Sequence, residues 1–130
     1  MKMLLGKRPL NNFEIEDIIQ QTPLRSIFRG TFSLDELAKL RPRRSIEAGI
    51  INLSKSHQKG THWTAWFKHH KNKVCYFDSF GDLRPPYELV NYLSNCKIYY
   101  NVNREQEFNI MCCGQLCLCF LMKEFLAKSI

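Results

Sequence analysis

The chain has 130 residues, 45% of them apolar, and a formal net charge of +7. That length suits one domain with one core, spanning residues 1–130, and that apolar fraction excludes a chain too polar to fold. No apolar run reaches membrane-spanning length, and the early "MLL" is too short for a secretory signal and is followed by Lys7 and Arg8.

The first periodic stretch is "NNFEIEDIIQQ" (11–21). Asn11 and Glu14 have capping-box spacing, Ile15, Ile18 and Ile19 make one apolar stripe, and Pro23 stops the helix. "SLDELAKL" (33–40) is a second, short helix, with Ser33 and Glu36 in the same capping relation. "AGIINL" (48–53) is rich in β-branched residues and reads as a buried strand. "HWTAWFK" and "KVCYFDSF" are aromatic, β-prone runs either side of "HHKN", which predicts a hairpin. "PPYELVNYL" (85–93) opens with prolines and carries helical spacing; "KIYYNV" (97–102) is another strand. "CGQLCLCFLMKEFLA" (113–127) is a last helix, apolar enough to be largely buried. The expected fold is therefore α+β, with a mainly antiparallel central sheet packed against a buried final helix.

Four of the six cysteines crowd into residues 112–119. Neighbours on one short element cannot easily bridge, so reduced thiols in an intracellular compartment are expected. The spacing of Cys112, Cys113, Cys117 and Cys119 does not suit a structural zinc site, and no metal is expected there. Cys117 and Cys119 read as core packing. Cys113 differs, because it stands where the last helix begins. The first amide groups of a helix and its dipole favour a thiolate at that position. Gly114 then removes a side chain that would obstruct a substrate.

A thiolate nucleophile needs a base and an oxyanion donor. Side chains on a strand alternate faces. A hairpin centred on His70 sets His62 opposite Asp78 and Thr64 opposite Tyr76, with opposed Cβ atoms roughly 5 Å apart. A register slip of two residues keeps His62 and Asp78 on one face as diagonal neighbours. A carboxylate there fixes one imidazole nitrogen and leaves the other as a base. His69 and His70, at the loop tip among lysines, and His57 in a polar loop are expected to be solvated. Gln106, seven residues before Cys113, can aim its amide at an oxyanion. The basic runs "RPRR" (41–44), "KSHQK" (55–59) and "KHHKNK" (68–73) suit a polyanion such as DNA.

Taken together these residues resemble the adenovirus-type cysteine endopeptidases, the adenain family, within the clan that includes the SUMO-specific ubiquitin-like proteases. The resemblance lies in "IFRGTF" (27–32), "AGIINLSKSHQKGTHW" (48–63), "NKVCYFDSFGD" (72–82) and "QEFNIMCCGQLCLCFL" (106–121). It covers about residues 13–125. It implies His62 as general base, Asp78 as its orienter, Cys113 as nucleophile and Gln106 as oxyanion donor, with Trp63 and Gly114 lining a substrate groove suited to glycine-containing sites. Cys112 matches a non-catalytic position. It further implies a protein or peptide substrate, no cofactor for the chemistry itself, and activation by DNA or a peptide, with Cys96 near the family's disulfide-forming position. A role in processing viral or Polinton-like element precursors, in the host nucleus, cytoplasm or virion, goes with it. Two departures stand out. The acid is Asp, as in the SUMO proteases, where adenain has Glu, and adenain continues with further helices beyond the nucleophile helix. Other readings of the same residues are removal of a ubiquitin-like modifier, acyl transfer by the related His-acid-Gln-Cys set, and an inactive basic nucleic-acid-binding module.

Overall fold

A computed structural model describes residues 9–40, 42–53, 62–81, 84–100 and 113–127. Three α-helices occur among them: α1 (Asn12–Gln20), α2 (Tyr87–Tyr92) and α3 (Cys113–Ala127). The five strands are β1 (Phe28–Ser33), β2 (Glu47–Asn52), β3 (Trp63–His69), β4 (Lys73–Phe77) and β5 (Lys97–Tyr100). They form one sheet in the order β1-β2-β3-β4-β5.

Local chemistry explains the first helix. The Asn11 side chain accepts from the Glu14 N–H at 2.8 Å, and Glu14 accepts in return from the Asn11 N–H at 3.1 Å, closing the expected capping box. Ile15 and Ile19 are its buried face. The Ser33–Glu36 box also forms, but the segment behind it, Leu34–Lys39, winds as 3₁₀ turns.

The sheet is mixed, and this corrects the mainly antiparallel expectation. The central pairs β2–β3 and β3–β4 are antiparallel, whereas β1–β2 and β4–β5 are parallel. Parallel neighbours need a crossover rather than a tight turn. Residues 34–46 supply one crossover and the segment carrying α2 supplies the other. β1 is a further addition. Its Gly30 and its uniformly half-buried residues erase the two-residue alternation by which strands are recognised.

Both faces of the sheet are covered. On one, α1 and α3 pack through Ile15, Ile19, Cys117, Leu118 and Leu121 against Ile50, Ala65, Phe67 and Phe77. On the other, Leu37, Leu89 and Leu93 pack against Ile51, Trp66 and Tyr76. Gly49 makes room for the second core: a Cβ at that position would lie 2.1 Å from the Trp66 ring. A buried carboxylate ties this side together. Glu47 accepts from Arg29 Nη1 at 2.9 Å, Trp66 Nε1 at 3.0 Å, the Arg44 N–H at 2.8 Å and the Tyr92 hydroxyl at 2.7 Å. A charge in that setting is tolerated because its lone pairs are satisfied.

Glu47→Ala removes the carboxylate that neutralises the Arg29 guanidinium in the interior and is expected to cost about 3–5 kcal/mol, as breaking a buried pair does. Urea denaturation of the two proteins, compared by midpoint at equal slope, measures it.

Candidate active site

The hairpin fixes the site. β3 and β4 pair with Trp66 opposite Tyr76 and Phe67 opposite Cys75. The loop between them is His70–Asn72, where Lys71 (φ 63°) and Asn72 (φ 59°) adopt left-handed backbone. The turn therefore centres on Lys71 rather than His70. The register is the one slipped by two residues, and His62 and Asp78 become diagonal neighbours just beyond the strand ends. Their contact survives the slip: His62 Nε2 lies 2.8 Å from Asp78 Oδ1, and both side chains are buried.

Asp78 is held by the chain that follows it. The Phe80 N–H donates to Asp78 Oδ1 at 2.9 Å, and the Gly81 N–H donates to the Asp78 carbonyl at 2.9 Å. Gly81 sits at φ 72°, which only glycine adopts at little cost. The same turn lays the Phe80 ring flat on His62, with centroids 4.3 Å apart and planes 8° from parallel. The imidazole is thus fixed by a carboxylate at one nitrogen and an aromatic ring across its face. Phe80 was not foreseen from the sequence; in the slipped register it is the residue opposite His62, so the register is the signal that locates it.

Cys113 opens α3 and is buried. Its thiol lies within hydrogen-bonding reach of the His62 ring. Asp78 occupies Nε2, so Nδ1 is the nitrogen left to face the sulfur. The Trp63 N–H donates to Cys113 Sγ at 3.3 Å. Burial alone raises the thiol's pKa, but the His62 hydrogen bond, the Trp63 N–H, the imidazolium charge and the Gly114 N–H together bring it below the ordinary thiol value. The imidazole moves the opposite way. Burial by itself lowers it, yet the hydrogen bonds to Asp78 and Cys113 and their negative charges hold it up at about 9. Both directions favour a thiolate–imidazolium pair.

The remaining residues of the sequence-derived set are placed as follows. Trp63 is half-buried, its indole Nε1 donates to the Leu10 carbonyl at 2.9 Å, and its ring packs against Gly114. A Cβ on Gly114 would meet Leu10 and Trp63 at 3.4 Å and Ile15 at 3.5 Å. Gly114 thus faces α1 and Trp63 on the interior side of the helix, at ordinary van der Waals distances that leave room for a Cβ. Cys117 is fully buried and donates to the Trp63 carbonyl at 3.4 Å, and burial holds its pKa well above the usual thiol value. Cys96 is half-buried against the second core with a free thiol. Gln106, Cys112 and His57 lie outside the described residues. His70 Nδ1 is 2.6 Å from the Ser45 hydroxyl, and His69 Nε2 is 2.8 Å from Glu124 Oε1. Each therefore has a protein partner, where solvation alone was expected.

No protein-family model and no curated protein matches the sequence. Among solved structures, the selenomethionine form of the ASFV pS273R protease superposes with a TM-score of 0.63 at 16% sequence identity. The match covers 92% of this chain and 59% of that protease, so the chain spans about three fifths of its length. None of the helices among the described residues is long and apolar enough to cross a membrane. The chain shares its α+β fold, a mixed five-stranded sheet with helices, with that viral protease.

Proposed function

We propose that the protein is a cysteine endopeptidase with Cys113 as nucleophile, His62 as general acid and base, and Asp78 as the group that orients His62. The observation that carries this reading is one continuous contact path, from the Asp78 carboxylate through the imidazole to a thiol at the first residue of a helix. Its likeness in fold to a viral protease points the same way.

The chemistry follows from the charge state. The Cys113 thiolate attacks the scissile carbonyl, and the carbonyl π electrons move onto oxygen. The Cys113 backbone N–H, at the start of α3, and the Gln106 amide are proposed to hold that oxyanion. The His62 imidazolium gives its proton to the departing amine, and the thioester remains. The now neutral imidazole takes a proton from water and regains its positive charge, the hydroxide attacks the thioester, the C–S bond breaks to return the thiolate, and the acid product leaves, giving its remaining proton to solvent. Asp78 keeps the ring oriented and stabilises the imidazolium throughout. Trp63 packs against Gly114 and borders the thiol, and it is proposed to line the substrate groove. The preference for glycine-containing sites, and the processing of viral or mobile-element precursors, come from the resemblance to adenain. So do DNA or an activating peptide as stimulants. The basic runs suit DNA by charge alone, and the free thiols of the described cysteines suit a reducing intracellular compartment.

Cys113→Ala and His62→Ala should each abolish cleavage of a glycine-containing peptide while leaving the circular dichroism spectrum unchanged. A ubiquitin-like probe ending in an electrophile separates deconjugation, since only a deconjugase reacts with it faster than with a short peptide. Acetyl-CoA-dependent product would mark acyl transfer. Full activity in Cys113→Ala would remove the peptidase reading.

The two titrations should separate by assay. Cleavage needs both members of the ion pair, so kcat/KM should fall at low pH as the thiolate gains a proton and again as pH rises through about 9, where His62 loses its proton. Alkylation by iodoacetamide needs only the thiolate. It should fall at low pH but not above 9, and Cys113 should be the residue labelled first by mass spectrometry.

A further inference from the structure

The hairpin and α3 meet a second time, at the end away from Cys113. His69 closes β3, and Cys75 lies on β4 opposite Phe67. In that register the two are diagonal neighbours on the face that α3 covers. Glu124 comes down on them from the helix. Its Oε1 lies 2.8 Å from His69 Nε2, and the imidazole nitrogen, the Cys75 sulfur and the carboxylate oxygen all lie within 4.8 Å of one another. All three residues are half-buried, so they are shielded but reachable from solvent.

We propose that His69, Cys75 and Glu124 form a binding site for a zinc-class divalent cation, with three protein ligands and a fourth position left for water. Imidazole nitrogen, thiolate sulfur and carboxylate oxygen are the donor types zinc takes, and the sulfur discriminates against magnesium and calcium, which take oxygen. A tetrahedral ion with bonds of roughly 2.0–2.3 Å holds its donors roughly 3.3–3.8 Å apart. The present cluster, with its donor atoms within 4.8 Å of one another, reaches that geometry through changes of at most about 1.5 Å in any donor–donor distance. Two of the ligands come from one rigid hairpin. The third is set by packing: Phe120, one helical turn before Glu124 on the same face, stacks on Phe77 with centroids 5.1 Å apart. A cavity of about 330 Å³ opens beside Cys75 and Glu124, bordered by Tyr99, Leu116 and Cys119, which gives the fourth ligand room. Binding displaces the Cys75 thiol proton to solvent and the ion takes the thiolate.

Such an ion ties Glu124 on the nucleophile helix to the strands whose other ends lead to His62 and Asp78. It acts on stability and on the seating of α3, and it is independent of the peptidase reading.

The test uses the full chain carrying Cys113→Ala, which removes the thiol of the His62 pair as a competing metal ligand. Titration with Co²⁺ should produce one equivalent of tetrahedral visible absorption together with a near-ultraviolet thiolate-to-cobalt band, and Zn²⁺ should bleach both. Zn²⁺ should also raise the melting temperature. Adding Cys75→Ser should remove the near-ultraviolet band, and adding His69→Gln or Glu124→Gln should weaken binding at least about tenfold. Should Cys75→Ser fail to fold, as judged by circular dichroism, His69→Gln carries the same comparison. Absence of the cobalt spectrum in the Cys113→Ala protein, or its persistence unchanged when His69 and Cys75 are replaced, overturns the proposal.

Discussion

A carboxylate buried at Asp78 is the constraint around which the reactive end of this molecule is arranged. A lone ionised carboxylate in the interior carries a large desolvation penalty. Here Asp78 Oδ1 accepts from both the His62 ring and the Phe80 N–H. The proton it favours on the imidazole in turn favours negative charge on Cys113. In a water-poor setting each of these interactions is stronger than it would be at the surface, and each depends on the next. The turn at Gly81, the Phe80 ring over His62 and the Trp63 N–H on the sulfur all hold that chain of contacts in line.

The sheet contains a second buried carboxylate, and the contrast is informative. Glu47 is enclosed by donors that do not change charge in ordinary conditions: a guanidinium, an indole, a hydroxyl and a backbone amide. Nothing there can pass a proton on at neutral pH, so Glu47 is structural. Asp78 faces an imidazole, and behind the imidazole stands a thiol. What separates the two sites is the titration range of the partner groups, since both carboxylates are buried.

The hairpin β3–β4 and helix α3 carry most of the chemistry-bearing side chains in the described residues. At one end they bring together His62, Asp78 and Cys113; at the other, His69, Cys75 and Glu124. The core between them, with Phe77 stacked on Phe120 and Cys117 bonded to the Trp63 carbonyl, fixes the helix over the strands. Helix and hairpin are therefore packed together with one cluster of chemistry-bearing side chains at each end. Leu37 in the first crossover and helix α2 in the second cover the opposite face, while the start of the second crossover supplies Asp78 and Phe80 to the Cys113 end.

Much of the site was legible because its signals are local. The Asn11–Glu14 capping box set the start of α1, the apolar run after Cys113 set the start of α3, and the shared parity of residues 62 and 78 placed them on one face whichever even register the hairpin took. Cys117 as core followed from its place one turn into an apolar helix. What stayed hidden depends on pairing between distant segments: β1 with its half-buried pattern, the parallel outer pairs, the turn centred on Lys71, and hence Phe80 over His62. The donors around Glu47, the space Gly49 leaves for Trp66, and the approach of Glu124 to His69 and Cys75 are of the same kind. Side-chain periodicity records which face a residue occupies. Which distant residue it meets is decided by register and by how two cores close on one sheet, and those are properties of the packed whole.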